Sequence, residues 1–137
     1  MNTKPYLTLL DAKRIGAAAE AEAVKNGWAV SIAIVDDGGH LLWQQRLDGA
    51  PPVSSYIAPA KANTAALGRR ESKIYEDVVN NGRVSFLSAP KLEGMLEGGV
   101  PVIVDGHVIG AVGVSGVKSE QDVQIARAGI AALDAAS

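Results

Sequence analysis

The stretch GAVGVSGVKSEQD, residues 110–122, places Gly110, Gly113 and Gly116 at intervals of three, with Ser115 just before the last of them and Lys118, Glu120 and Asp122 after it. Glycines between a strand and a helix can cradle a phosphate, but the dinucleotide loop needs G-x-G-x-x-G and the Walker loop needs G-x-x-x-x-G-K-[ST]. Neither spacing is present, and Lys118 does not directly follow Gly116. Gly110 and Gly113 therefore read as points of close approach for a helix or a second chain. Ser115 and Gly116 read differently, because they stand where a strand ends and a helix begins, and free N–H groups there favour an anion. Glu120 and Asp122 fall in the first helical turn, where carboxylates complement the helix dipole; in a desolvating cleft they could also pass a proton.

Five further residues could bind or react. Arg46 and Asp48 lie where a strand leaves the sheet, and Arg46 could clamp a carboxylate through two parallel hydrogen bonds, the plainer reading being a surface Arg–Asp pair. Lys61 sits in APAKANTAALG among apolar neighbours. Desolvated, its amine would suit a base or a Schiff-base nucleophile; the commoner arrangement, and the one expected here, is an amine that snorkels to water. His40 and His107, the two histidines, stand at hairpin exits and could ligate a metal or haem iron if both turns share one end of the sheet.

The elements that must position these groups follow from capping and periodicity. Thr8 and Asp11 form a capping-box variant ahead of an alanine-rich helix that stops at Asn26-Gly27, with Leu10, Ala17, Ala21 and Val24 as its expected buried face. AVSIAIV is apolar on both alternating faces and suits a central strand; DDGGH turns it into LLWQQR. A second helix is expected from Tyr56 to Arg69, with Ile57, Ala60, Thr64 and Leu67 buried and Pro59 inside its first turn. Ser72 should cap a short helix ending at Asn80-Asn81-Gly82, and residues 83–96 should hold a loop and one short edge strand. VPVIV and VIGAVGV flank Asp105-Gly106 as a second hairpin, and Ser119 opens a last helix with Val123, Ala126, Ile130 and Leu133 inward. The result is an α+β domain, an antiparallel sheet of about five strands with helices packed on it.

Composition narrows the partners. At 137 residues the chain makes one domain, 1–137, with 47% hydrophobic residues and a net charge of −2. No basic cluster marks a nucleic-acid or membrane surface, no apolar run reaches a membrane span, and the chain has no cysteine for disulfides, thiolates or Cys-based metal sites. A cytoplasmic protein is the default expectation.

Taken together, VSIAIVDDGGHLLWQQRLDGA, KANTAALGR, GGVPVIVDGHVIGAVGVSG and EQD resemble the GlcG/HbpS-like family, also called the haem-degrading domain family, over about residues 7–133. The resemblance implies a profilin-like fold with a five-stranded antiparallel sheet, a homo-oligomer of dimers or larger rings, and in some members haem or iron binding. The first helix of this chain carries no histidine, so His40 and His107 are the imidazoles that haem could use. The expected function is a cytoplasmic accessory protein of a catabolic pathway that holds a small carboxylate or a tetrapyrrole. Arg46, Lys61, Ser115 and Gly116 would contact the anion, and Asp48, Glu120 and Asp122 would orient it. The competing expectation is an enzyme in which Lys61 or Glu120 moves a proton on a small hydroxy or keto acid.

Overall fold

The computed structural model describes residues 1–136. Its elements run α1 (Leu9–Asn26), β1 (Ser31–Asp36), β2 (Leu41–Arg46), α2 (Ser54–Gly68), α3 (Ser72–Asn80), a 3-10 turn (Val84–Ser88), β3 (Gly99–Val104), β4 (His107–Ser115) and α4 (Ser119–Ala136). The strands form one antiparallel sheet in the order β2-β1-β4-β3. Helix α2 covers one face, while α1 and α4 pack on each other and on the opposite face.

The α+β architecture stands as expected, but among the described residues the sheet has four strands, not five. The missing strand is the one expected within residues 83–96. That segment instead makes the 3-10 turn, then reaches β3 through Pro90 and Gly94, without the alternating apolar pattern a paired strand needs. Phe86 stacks on Tyr75 of α3 with ring centroids 5.4 Å apart, which anchors the segment to a helix and not to the sheet edge.

The caps behave as the sequence dictates at α1. Thr8 Oγ1 accepts the Asp11 N–H and the Asp11 carboxylate accepts the Thr8 N–H, while Gly27, at φ 71°, ends the helix in the left-handed region. Its buried face is not the expected one. Ala12, Ile15, Gly16, Ala19 and Ala23 face inward, and Leu10 and Val24 are exposed. The choice is made by close packing: a methyl group on Gly16 would stand 2.4 Å from the Trp43 ring, and one on Gly129 of α4 would stand 2.8 Å from the Ile15 carbonyl.

Helix α2 also buries a face other than the expected one. Ser54, Ala58, Lys61, Ala62, Thr64, Ala65 and Ala66 are buried, so of the expected face only Thr64 is fully inside. The partner surface is β4, whose Gly113 admits the helix backbone: a methyl there would lie 2.0 Å from the Ala58 carbonyl oxygen. The helix also starts at Ser54, two residues earlier than expected, which puts Pro59 in the second turn. Proline has no N–H to give the Ser55 carbonyl four residues back. Gln44 of β2 fills that vacancy, its side-chain amide donating to Ser55 O at 2.7 Å.

The central strands β1 and β4 bury almost every residue, as expected of a strand apolar on both faces. Ile32, Ile34, Val112 and Val114 meet Ile15 and Ile125 on the α1/α4 face; Val35 and Ala111 meet Ala62, Ala65 and Ala66 on the α2 face. Asp105 and Gly106 connect β3 to β4 with φ of 51° and 77°, the paired positive values of a tight hairpin turn.

Candidate functional site

The sheet sorts the candidate residues into two groups at opposite ends. Asp36, the last residue of β1, pairs with Gly110 near the start of β4, so the β1–β2 and β3–β4 turns share one end. His40 and His107 belong to that end. Ser31, the first residue of β1, is flanked by Arg46 on one side and Ser115 on the other. Directly opposed residues of antiparallel strands project to one face, so Arg46, Ser31 and Ser115 form a row on the α2 side at the far end.

That far end is built around a buried ion pair. Lys61 Nζ lies 3.2 Å from Asp122 Oδ2 and 2.9 Å from the Val114 carbonyl oxygen, and the two residues are 4% and 2% exposed. The lysine does not snorkel. Because α2 lies flat against Gly113, its inward face is too close to the sheet for a long side chain to escape sideways; the amine instead reaches along β4 to the helix start. Gly98, at φ 135°, makes room for it, since a methyl there would stand 2.6 Å from Nζ. Asp122 Oδ1 also accepts the Val117 N–H at 3.3 Å, tying the β4–α4 turn together. Burial pushes the Asp122 carboxyl up to about 6, against the pull of Lys61.

Around the pair, Ser31 Oγ and Ser54 Oγ are 2.8 Å apart, and Ser54 Oγ donates to the Pro51 carbonyl at 2.6 Å. Ser115 is nearly buried, and Gly116 adopts φ 145° where a side chain would press on Ala29 O and Val30. Lys118, not Ser119, occupies the cap position of α4: its N–H is taken by the Gln121 side chain and its carbonyl by the Gln121 and Asp122 N–H groups. Glu120 is exposed one turn from the pair. Asp48 does not join Arg46; it lines a groove of about 400 Å³ with Glu20, Val24, Trp28 and Leu47, under the end of α1.

At the hairpin end, the two histidines face different surroundings. His40 Nδ1 lies 3.1 Å from the Asp36 carboxylate, which also accepts the Gly38 and His40 N–H groups and so closes the turn. His107 instead lines a groove of about 410 Å³ with Lys4, Arg69, Ile103, Gly106 and Val108. Lys4 Nζ is 2.6 Å from Asp37, whose carboxyl it holds below its usual range, and the Arg69 guanidinium donates to the Asp37 and Ala66 carbonyls. Among the described residues no group of three or more His, Asp or Glu is arranged to hold a metal ion.

Several contributors went unmarked in the sequence. Lys4 and Arg69 lie far from His107 along the chain, and no spacing rule joins them. Ser72 was expected as a helix cap but is the first residue inside α3; its hydroxyl bridges the Leu96 carbonyl and the Gly99 N–H, pinning β3 to α3. The adjacent pair Gly98-Gly99 was the available signal, since both sit where side chains would strike Lys61.

A single antiparallel sheet sandwiched between helices, with a polar cluster at one end and an imidazole-bearing groove at the other, makes a small α+β domain with two candidate sites. The chain belongs to the haem degrading protein HbpS-like family, whose model matches residues 7–131. Protein GlcG of Escherichia coli K12 is 59% identical over 115 residues, which cover 84% of this chain and 85% of GlcG. Among solved structures, Klebsiella pneumoniae ORFY superposes with a TM-score of 0.88 at 33% identity, covering 98% of this chain and 97% of that one. The PduOC–haem complex superposes with a TM-score of 0.84 at 34% identity, covering 93% and 95%. Among the described residues no helix is long and apolar enough to cross a membrane.

Proposed function

We propose that this protein is a ligand-binding accessory domain whose ligand is an anionic tetrapyrrole, taken at the groove of His107. The observation that carries the reading is the set of groups around one groove: an exposed imidazole, two cationic side chains (Lys4, paired with Asp37, and Arg69, which donates to two carbonyls) and the apolar Ile103 and Val108. Imidazole is a common axial ligand for haem iron, cations suit the carboxylates at the macrocycle's rim, and apolar side chains suit its face. These residue types fit haem, and a haem complex exists for a relative of the same fold. Haem would supply an iron centre; the chain's part is to bind and orient it. His40 is a second candidate imidazole, since a carboxylate on Nδ1 is compatible with ligation through Nε2, but it does not line the groove that holds Lys4 and Arg69. Haemin titration tests the proposal: a Soret shift is expected for the wild type and for His40→Ala, with affinity at least about tenfold weaker in His107→Ala. Absence of the shift, or its survival unchanged in His107→Ala, overturns it.

A second reading rests on the other end of the sheet. The exposed Arg46 stands in one row with Ser31 and Ser115, beside Gly116 and the start of α4, and this supports a site for a small carboxylate. Thermal shifts with short hydroxy and keto acids, lost in Arg46→Ala, would bear on it. The enzymatic variant of that reading uses Glu120, which is open to solvent; Lys61 is committed to Val114 and Asp122. Solvent deuterium entering such acids would be its signature. In both readings the protein works as a cytoplasmic homo-oligomer, testable by light scattering of the purified chain.

A further inference from the structure

Outside the grooves already described, helix α2 has an unusual outward side. The other helices show charge to solvent: Lys13 and Arg14 on α1, Lys73 and Asp77 on α3, Glu120 and Arg127 on α4. In α2 the one charged residue is Lys61, and it is turned inward to Asp122. A helix with apolar residues on every side is stable when every side is covered. The inward side of α2 lies on the sheet, and its outward side is open.

That open side is ordered. Val53, Tyr56, Ala60, Asn63 and Leu67 succeed one another at intervals of 3, 4, 3 and 4 residues, the spacing of a seam along which two helices pack lengthwise. Val53, Tyr56 and Leu67 are exposed to 55%, 78% and 40%, and none of the five is charged. The seam is therefore a second packing face, directed away from Ala58, Ala62 and Ala65, which the sheet buries. Charge then selects what covers it. A charged surface laid on the seam would lose its water and find no counter-charge, so the matching surface must be uncharged as well. Among the described helices α2 alone meets that condition, which makes a second copy of α2 its complement.

We propose that the outward seam of α2 is a two-fold interface with a second copy of this chain; the proposal rests on the homo-oligomer reading above and assigns that assembly its face. A two-fold axis uses one patch on both copies and runs the helices antiparallel, so their dipoles oppose favourably. Placed at Ala60, the axis sets the smallest residue of the seam at the closest approach, Val53 against Leu67 of the second copy, and Tyr56 against Asn63. The Asn63 side-chain oxygen has no hydrogen-bond partner within the chain, and a phenol opposite it is a donor once the amide turns outward.

The chain has no cysteine, so one introduced thiol reports the geometry. In Ala60→Cys the two thiols meet at the axis, and mild oxidation should join the copies as a disulfide-linked dimer; Ala21→Cys, on the exposed side of α1, should stay unlinked. In light scattering the wild type should run as an oligomer, and Ala60→Glu, which sets two carboxylates against each other, at half its mass or less with its helical circular dichroism retained. Should Ala60→Glu fail to fold, the crosslink decides. A wild type that is monomeric overturns the homo-oligomer reading and this interface together. An oligomeric wild type with unchanged mass in Ala60→Glu, no crosslink in Ala60→Cys, or equal crosslinking of the two cysteine variants overturns the interface alone.

Discussion

Asp122 is the residue at which burial and charge compete most sharply. Its carboxyl is raised from 3.8 to about 6, chiefly by desolvation, so the folded chain binds this proton more tightly than the unfolded chain does. The stabilisation from that proton is full below about pH 4 and is lost as pH rises through about 6, amounting to roughly 3 kcal/mol between the limits. Urea denaturation across this range should show Asp122→Asn flattening that part of the wild-type profile. Lys61→Met should act in the opposite way on the remaining carboxylate, lifting its titration further, because the favourable partner is gone; the Asp122 carbon shift reports it.

Helix α2 shows how one element's defects are met by its neighbours. Pro59 deprives the Ser55 carbonyl of its helical donor, and Gln44 replaces it from the adjoining strand. Gln44→Leu, similar in size but without the amide, should cost about 1 kcal/mol, read from the urea midpoint at unchanged m-value. Gly113 sets the helix's height above the sheet. Gly113→Ala would drive a methyl into the Ala58 carbonyl, and a loss of about 3 kcal/mol or more is expected, far beyond the entropy a glycine-to-alanine change normally returns. The same closeness explains why the apolar periodicity of α1 and α2 named the wrong faces. Alanine is compatible with inside and outside alike, so the larger residues Leu10, Val24 and Leu67 dominated the pattern, and they are the ones left at the surface.

For the molecule as a whole, antiparallel pairing separates two groups of candidate residues that the sequence reading had merged. The imidazoles lie with the hairpin turns, and Arg46, Lys61, Ser115 and Asp122 lie at the other end. Ligands of the two ends should therefore act independently: His107→Ala should impair haemin binding while leaving any thermal shift by small acids intact, and Arg46→Ala should do the converse. A single variant that abolished both responses would show that the two ends are not separate.

Much of this molecule could be read from local rules. The capping box at Thr8, the left-handed stop at Gly27, the Asp105-Gly106 hairpin and the apolar central strands each rest on interactions within a few residues, and the motifs carrying the family resemblance span nearly the whole chain. What tertiary structure alone decided is where long side chains end. Lys61 is buried because a glycine in β4 draws α2 onto the sheet and Gly98 opens a path to Asp122, 61 residues away; Lys4 and Arg69 reach His107 only because separate elements converge on one turn. Local propensity holds no record of such distances, since they are set by how closely two backbones can pack.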